Sequence, residues 1–391
     1  MARPYESGPE PQYDKVVSGY LTFHHSDEYP FELGGSLPEI TLAYETWGEL
    51  SRQRDNAVLL HTGLSASSHA KSHPENPRPG WWEAFIGPGL AIDTDRWFVI
   101  CTNLLGGCYG STGPSSEDAR TGEPYATGFP ILTVTDMVRA QMLLLDHLGI
   151  GRLHASIGSS LGGMQSLAVA ASFASRVDRI VSISAAGRSY PMSIAMRFVQ
   201  RSALMADPDW RGGHYYGRTF PHRGMKVARE IGTITSRSGP EWQERFGRQR
   251  TTEGTPRLEA DFEVESYLAH QGEKFCLQYD PNSYLYVSKA MDLFDLGDGQ
   301  PSYEEGVARV QCPALVIGVK SDILFPSWQQ RELADLIARG GAPVTFLELD
   351  APFGHDTFLI AVDEVGGAIR SHLEASEAKM TAPRAAQATT P

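Results

Sequence analysis

Gly158-Ser159-Ser160-Leu161-Gly162 decides the fold. The stretch reads G-x-S-x-G and lies between segments of different period. Upstream, Leu153-His154-Ala155-Ser156-Ile157 is short and strand-like. Downstream, Gly163-Met164-Gln165-Ser166-Leu167-Ala168-Val169-Ala170-Ala171 is small and apolar, with a helical pattern. Strand, sharp turn and helix make the context of a nucleophile elbow, where a serine hydroxyl projects from a strained turn. Glycines flank the serine because the helix packs close against the strand and leaves no room for a Cβ. Ser160 is therefore the candidate nucleophile, and Ser159, in the x position, points elsewhere.

A nucleophilic serine needs a base, and the base needs an orienting acid. Ala314-Leu315-Val316-Ile317-Gly318-Val319 reads as a buried strand, followed by Lys320-Ser321-Asp322. Val344-Thr345-Phe346-Leu347-Glu348-Leu349 reads as the next strand, followed by Phe353-Gly354-His355-Asp356. Taken singly, Asp322 also reads as a helix N-cap and His355 as a loop residue. Together they follow the C-terminal ends of successive strands, where open α/β sheets hold their sites. The chain order Ser, Asp, His is that of the α/β-hydrolase fold, so the expected triad is Ser160, Asp322 and His355.

Hydrophobic residues make up 41% of the 391-residue chain, ample for a core with an inserted segment. A net charge of -13 argues against nucleic acid and anionic membranes as partners. Cys101, Cys108, Cys276 and Cys312 are too scattered for a disulfide framework. None pairs with a nearby His in metal-ligand spacing, so buried thiols and no metal site are expected. No apolar run reaches the length of a membrane span. Met1-Ala2-Arg3-Pro4-Tyr5-Glu6-Ser7 has no signal-type apolar region, and a cytoplasmic location is the default expectation.

Strand patterns at Leu37–Thr46, Ala57–His61, Trp97–Cys101 and Ile180–Ser184 alternate with helical ones, such as Asp136–Leu148. Alternation implies a mostly parallel sheet covered on both faces by helices. The expected organisation is a flexible N-terminus over 1–15, a hydrolase core over 16–189 and 306–374, a helical lid over 190–305, and a disordered tail over 375–391. Between Ala195 and Arg250 there are eleven basic residues against five acidic ones. That excess reads either as a solvated helix surface or as attraction of an anionic substrate toward the pocket mouth.

Longer strings carry a family resemblance over roughly residues 37–373. They are Ala43-Tyr44-Glu45-Thr46-Trp47-Gly48, Gly80-Trp81-Trp82, Ile86-Gly87-Pro88-Gly89, Cys101-Thr102-Asn103-Leu104-Leu105-Gly106-Gly107-Cys108-Tyr109-Gly110-Ser111-Thr112-Gly113-Pro114, Gly162-Gly163-Met164-Gln165, Ser321-Asp322-Ile323-Leu324-Phe325-Pro326 and Gly354-His355-Asp356. In these the chain resembles the homoserine O-acetyltransferase family of α/β-hydrolase-fold acyltransferases. The resemblance implies the same triad, a substrate-binding Arg229, a substrate-binding Asp356, and a homodimer. It also implies an oxyanion hole built from the backbone N–H groups of Leu161 and Leu64. No bound cofactor is implied; acyl-CoA is a co-substrate.

One turn departs from the homoserine-specific pattern, which is of the Ala-Leu-Thr-Gly type. Here it reads Gly63-Leu64-Ser65-Ala66, resembling the serine O-acetyltransferase subgroup used for cysteine synthesis, as do Ile194-Ala195-Met196-Arg197 and Gly272-Glu273-Lys274-Phe275-Cys276. Gly63, Leu64, Ser65 and Ala66 are thus the expected acceptor-specificity residues. A pocket discriminates one methylene by roughly 1–3 kcal/mol. Ile323-Leu324-Phe325 lacks the arginine that succinyl-CoA members of the homoserine branch carry after the catalytic Asp. That favours acetyl-CoA, with Arg197 in the lid as the alternative holder of a succinyl carboxylate. The expected reaction is ping-pong acyl transfer from acetyl-CoA to L-serine. Serine O-succinyltransfer, homoserine O-acetyltransfer and simple ester hydrolysis are the alternatives.

Overall fold

The computed structural model describes residue 13, residues 17–256, residue 258 and residues 261–375. The expected flexible N-terminus lies outside these residues except for Tyr13, which is buried. The expected disordered tail lies outside them except for Ala375.

Eight strands form the main sheet: β1 (Leu21–His25), β2 (Ile40–Trp47), β3 (Ala57–His61), β4 (Phe98–Thr102), β5 (Ala155–Ser159), β6 (Ile180–Ile183), β7 (Ala314–Val319) and β8 (Val344–Leu349). Their spatial order is β1-β2-β4-β3-β5-β6-β7-β8. Strands β3 to β8 pair in parallel; β1 and β2 close one edge antiparallel. Strands β3, β5, β6 and β7 are buried at every position, which is why their sequences run apolar and small without alternation. Edge strand β1 instead buries Phe23 and exposes Leu21.

Helices follow in the order α1 (Val134–His147), α2 (Leu161–Ser172), α3 (Pro191–Met205), α4 (His222–Ser236), α5 (Gly239–Phe246), α6 (Glu263–Cys276), α7 (Pro281–Asp292), α8 (Tyr303–Val307), α9 (Ser327–Arg339), α10 (Thr357–Ile360) and α11 (Val362–Glu374). Helix α1 starts at a capping box: Thr133 Oγ1 accepts from the Asp136 N–H, and the Asp136 carboxylate accepts from the Thr133 N–H. Alternate strand residues face opposite layers. Leu59, Ile180 and Val316 pack with α1, α2 and α9; Leu60, Val181 and Ile317 pack with α11 through Val365, Ile369 and Leu373. Each fully buried Leu, Ile or Val contributes about 1.5–3 kcal/mol.

The segment between β6 and β7 divides in two. Leu204, Met225, Ala228 and Phe275 from α3, α4 and α6 form their own apolar cluster above the sheet. Helix α7 spans both: its Tyr284 and Leu285 join that cluster, and its Tyr286, Val287 and Ala290 join the main core. Helices α3 to α6 are therefore the cover, and α7 roots it in the body. No disulfide joins the four cysteines, and burial pushes the Cys276 and Cys312 thiols up to about 12. No described helix is long and apolar enough to cross a membrane.

Strand order puts the site where it is. From β3 the chain passes to β4 on one side, and after α1 it enters β5 on the other. Such a reversal opens a crevice beyond the carboxyl ends of the two strands. The loop after β3 and the turn after β5 border that crevice.

Candidate active site

Ser160 sits at the tip between β5 and α2 with φ 57° and ψ -124°, a conformation L-residues avoid. Surrounding structure holds it there. Its N–H donates to the Ile183 carbonyl at 2.8 Å, and its carbonyl accepts from the Met164 N–H at 3.1 Å. A Cβ on Gly162 would lie 2.5 Å from the His61 carbonyl oxygen, so the glycine lets α2 close onto β3. Ser160 is partly exposed while Ser159 is 2% exposed, although both border the same cavity.

Asp322 and His355 meet across the ends of β7 and β8. The His355 Nδ1 lies 2.7 Å from Asp322 Oδ2, and the other carboxylate oxygen accepts the Leu324 and Phe325 N–H groups, both at 2.8 Å. Ser321 ties the same loops: its hydroxyl donates to the Ala351 carbonyl and accepts the Gly354 N–H at 3.0 Å. Burial opposes a charged His355, but the Asp322 charge and hydrogen bond outweigh it, and the net effect lifts the imidazole above its ordinary value. Phe325 stacks on the ring at 5.4 Å between centroids and limits its tilt.

Ser160 and His355 line one cavity of about 270 Å³, roofed by α3, α4 and α6. Gly63, Leu64, Ser65 and Ala66 line it from the β3 loop, and Arg197, Arg229 and Asp356 line it too. Every residue singled out in the sequence thus borders this one space, except Asp322, which stands behind His355, and Leu161. Leu161 opens α2, where a backbone N–H has no acceptor within the helix. The Leu64 carbonyl accepts the Tyr279 hydroxyl at 2.8 Å, fixing that peptide plane.

The three cavity arginines differ in partners. Arg237 Nε lies 3.1 Å from Asp356 Oδ2, and its Nη1 is 2.8 Å from Glu241 Oε1. Asp356 therefore carries a neutralising partner that the sequence strings do not reveal. Arg197, 3% exposed, places Nε 2.6 Å from Asp292 Oδ1 and donates from Nη2 to the Ser189 hydroxyl at 2.8 Å. Arg201 takes the second Asp292 oxygen at 2.5 Å, so two guanidinium groups share one buried carboxylate. Arg197 Nη1 is buried without a hydrogen-bond partner. Arg229 lies over the Phe275 ring, 4.7 Å from its centroid, and no described carboxylate comes within ion-pair reach of it.

Sequence reading missed Gln200, Thr233 and Tyr267, which also line the cavity. Helical spacing held the signal for the first two. Gln200 is three residues from Arg197 on α3, and Thr233 four from Arg229 on α4, so each shares the face of an arginine already singled out. Tyr267 comes from α6, with no local motif.

The family pattern described as alpha/beta hydrolase fold matches residues 56–362. A serine O-succinyltransferase of Emericella nidulans is 52% identical, covering 95% of this chain and 84% of its own. A homoserine O-acetyltransferase of Moorella thermoacetica is 47% identical, covering 88% of this chain and 92% of its own. The crystal structure of homoserine O-acetyltransferase from Bacillus anthracis superposes with a TM-score of 0.86 at 29% identity, covering 92% of this chain and 98% of that one. Sheet order, elbow and these likenesses agree: the chain belongs to the homoserine O-acetyltransferase family of α/β-hydrolase-fold acyltransferases.

Proposed function

We propose that the chain transfers a succinyl group from succinyl-CoA to the hydroxyl of L-serine through an acyl-enzyme on Ser160. The observation that carries the proposal is the pair of cavity arginines. Arg197 has a buried, unsatisfied Nη1, and Arg229 has no carboxylate of its own. O-Succinylserine carries two carboxylates, one at each end. A guanidinium with open donors pairs with a carboxylate strongly where water is excluded. The loop after Asp322 has no arginine, which by itself points to acetyl; Arg197 supplies the missing guanidinium from α3. The relative named serine O-succinyltransferase supports the same donor and acceptor.

In the first half-reaction His355 takes the Ser160 proton as the oxygen attacks the thioester carbonyl. Asp322 holds the ring tautomer and stabilises the imidazolium. The Leu161 and Leu64 N–H groups receive the oxyanion. The thiol leaves with the proton from His355. Serine then enters, Arg229 binds its carboxylate and Asp356, shared with Arg237, binds its ammonium. His355 removes the hydroxyl proton, serine attacks the ester, and Ser160 is restored. The cover of α3, α4 and α6 keeps water from the acyl-enzyme.

Steady-state kinetics with serine and homoserine, each against succinyl-CoA and acetyl-CoA, test this reading. The highest kcat/KM is expected for serine with succinyl-CoA. A preference for acetyl-CoA would remove the role of Arg197, and a preference for homoserine that of the Gly63–Ala66 turn. Rapid acyl release to water without any acceptor would mark an esterase. Ser160→Ala should abolish the burst of free CoA in every case.

A further inference from the structure

Away from the triad, Glu45, His69 and His73 turn one ligand atom each toward a common point. Glu45 lies on β2; the two histidines lie in the loop that continues from the Gly63–Ala66 turn. Glu45 Oε2 is 2.8 Å from His69 Nδ1 and 2.7 Å from His73 Nε2, and the three atoms lie within 4.8 Å of one another. The Glu45 side chain is 1% exposed, and those of His69 and His73 are 10% and 12% exposed.

The outward atoms of these side chains are already committed. His69 Nε2 lies 2.7 Å from the Arg78 carbonyl oxygen, an acceptor, so that nitrogen carries a proton. His73 Nδ1 lies 3.0 Å from Glu75 Oε2, so it carries one too. Glu45 Oε1 accepts the Ser68 hydroxyl at 2.7 Å, and that hydroxyl accepts from the Asn103 amide at 3.0 Å. A neutral imidazole has a single N–H. With both outward nitrogens donating, the two inward nitrogens are lone pairs, and both face the same carboxylate oxygen. Protons alone would have to crowd two ring nitrogens onto one buried carboxylate oxygen. A divalent cation satisfies it with both rings neutral. Histidine ligands that donate their second N–H to a carbonyl or carboxylate, and a ligating carboxylate whose other oxygen is hydrogen-bonded, are the outer shell metal sites carry.

We infer that Glu45, His69 and His73 bind a divalent transition-metal ion, with Zn2+ matching two imidazole nitrogens and one carboxylate oxygen. Metal–ligand distances of about 2.0–2.1 Å in a tetrahedron put donor atoms about 3.3 Å apart. The two nitrogen–oxygen separations therefore widen by about half an ångström each, within side-chain reach. Three protein ligands leave a fourth position for water. The ion would fasten β2 to the loop that presents Leu64 and the acceptor turn. The inference is independent of the acyl donor and acceptor proposed above.

The test uses the untagged full chain, stripped with a chelator and dialysed. Titration with Co2+ should give one equivalent per chain with the visible absorption of a low-symmetry site, displaced by Zn2+. His69→Ala and His73→Ala should each weaken uptake by about 100-fold or more, with the Ser160 burst measured alongside to confirm a folded site. Diethyl pyrocarbonate labelling of the unaltered chain supplies a readout free of folding defects: Zn2+ should protect His69 and His73. No metal uptake by the folded chain, uptake unchanged in both variants, or labelling unaffected by Zn2+ would each overturn the inference.

Discussion

Gly158 and Gly162 meet backbone to backbone across the elbow: a Cβ on Gly158 would stand 2.1 Å from the Gly162 carbonyl carbon and oxygen. Main chain cannot yield as a flexible side chain does. Gly158→Ala should therefore lower stability by about 1–3 kcal/mol through overpacking, and displace Ser160 with it. Urea denaturation and the acylation burst read the two effects; a variant with full stability and a full burst would show that the turn has slack.

Under the proposed mechanism, Asp322 sets the pH profile. His355 must be unprotonated to take the Ser160 proton, and its pKa lies above the ordinary imidazole value of about 6.5. Acylation kcat/KM should therefore rise with pH along a limb centred above that value. In Asp322→Asn burial and the Arg197 charge still oppose protonation and only the Asp356 charge favours it, so the limb should move to lower pH while kcat falls by about 10⁴. An unmoved limb would assign it to another group.

Arg197→Gln should lower kcat/KM for succinyl-CoA by about tenfold to a hundredfold, the worth of a charged hydrogen bond of about 1.5–3 kcal/mol. Turnover of acetyl-CoA should change far less. Arg201 still neutralises Asp292 in this variant, so the lid should stay folded. Equal losses with both donors would mean that Arg197 only braces α3 against α7.

Arg229→Leu separates the half-reactions. The acceptor KM should rise by about tenfold or more while the burst of CoA from the first half-reaction keeps its rate. A burst as impaired as turnover would put Arg229 on the acyl donor instead.

Replacing Gly63-Leu64-Ser65-Ala66 by Ala-Leu-Thr-Gly should move kcat/KM toward homoserine by about tenfold, the usual discrimination of one methylene. Leu64 keeps its N–H, so acylation should persist. An unchanged serine-to-homoserine ratio would remove the turn from acceptor choice.

Local period and motif made the sheet, the elbow and the two loops after β7 and β8 legible, because each is a short apolar strand ending in a turn. What stayed hidden came from packing between distant segments. Nothing near Asp356 in the chain announces Arg237, more than a hundred residues earlier. Nothing near Arg197 announces Asp292, since the pair forms only where α7 leaves the lid for the core. Glu45 escaped for the same reason: His69 and His73 carry a suggestive four-residue spacing, but their third partner sits on a strand. About half of the +6 excess over residues 195–250 is offset by carboxylates just beyond that range, Asp261, Glu273 and Asp292.

The cavity of about 270 Å³ has a temporal consequence. Ligand pockets commonly span about 300–1,000 Å³, so this one lies just below that range, and donor and acceptor must both reach Ser160 through it. Under the proposed chemistry the two substrates must take turns at Ser160. The acyl-enzyme then becomes the only record that the donor has been present. Free amino acid at high concentration should enter before the donor and exclude it, so that the acceptor inhibits at the very concentrations that would otherwise saturate it.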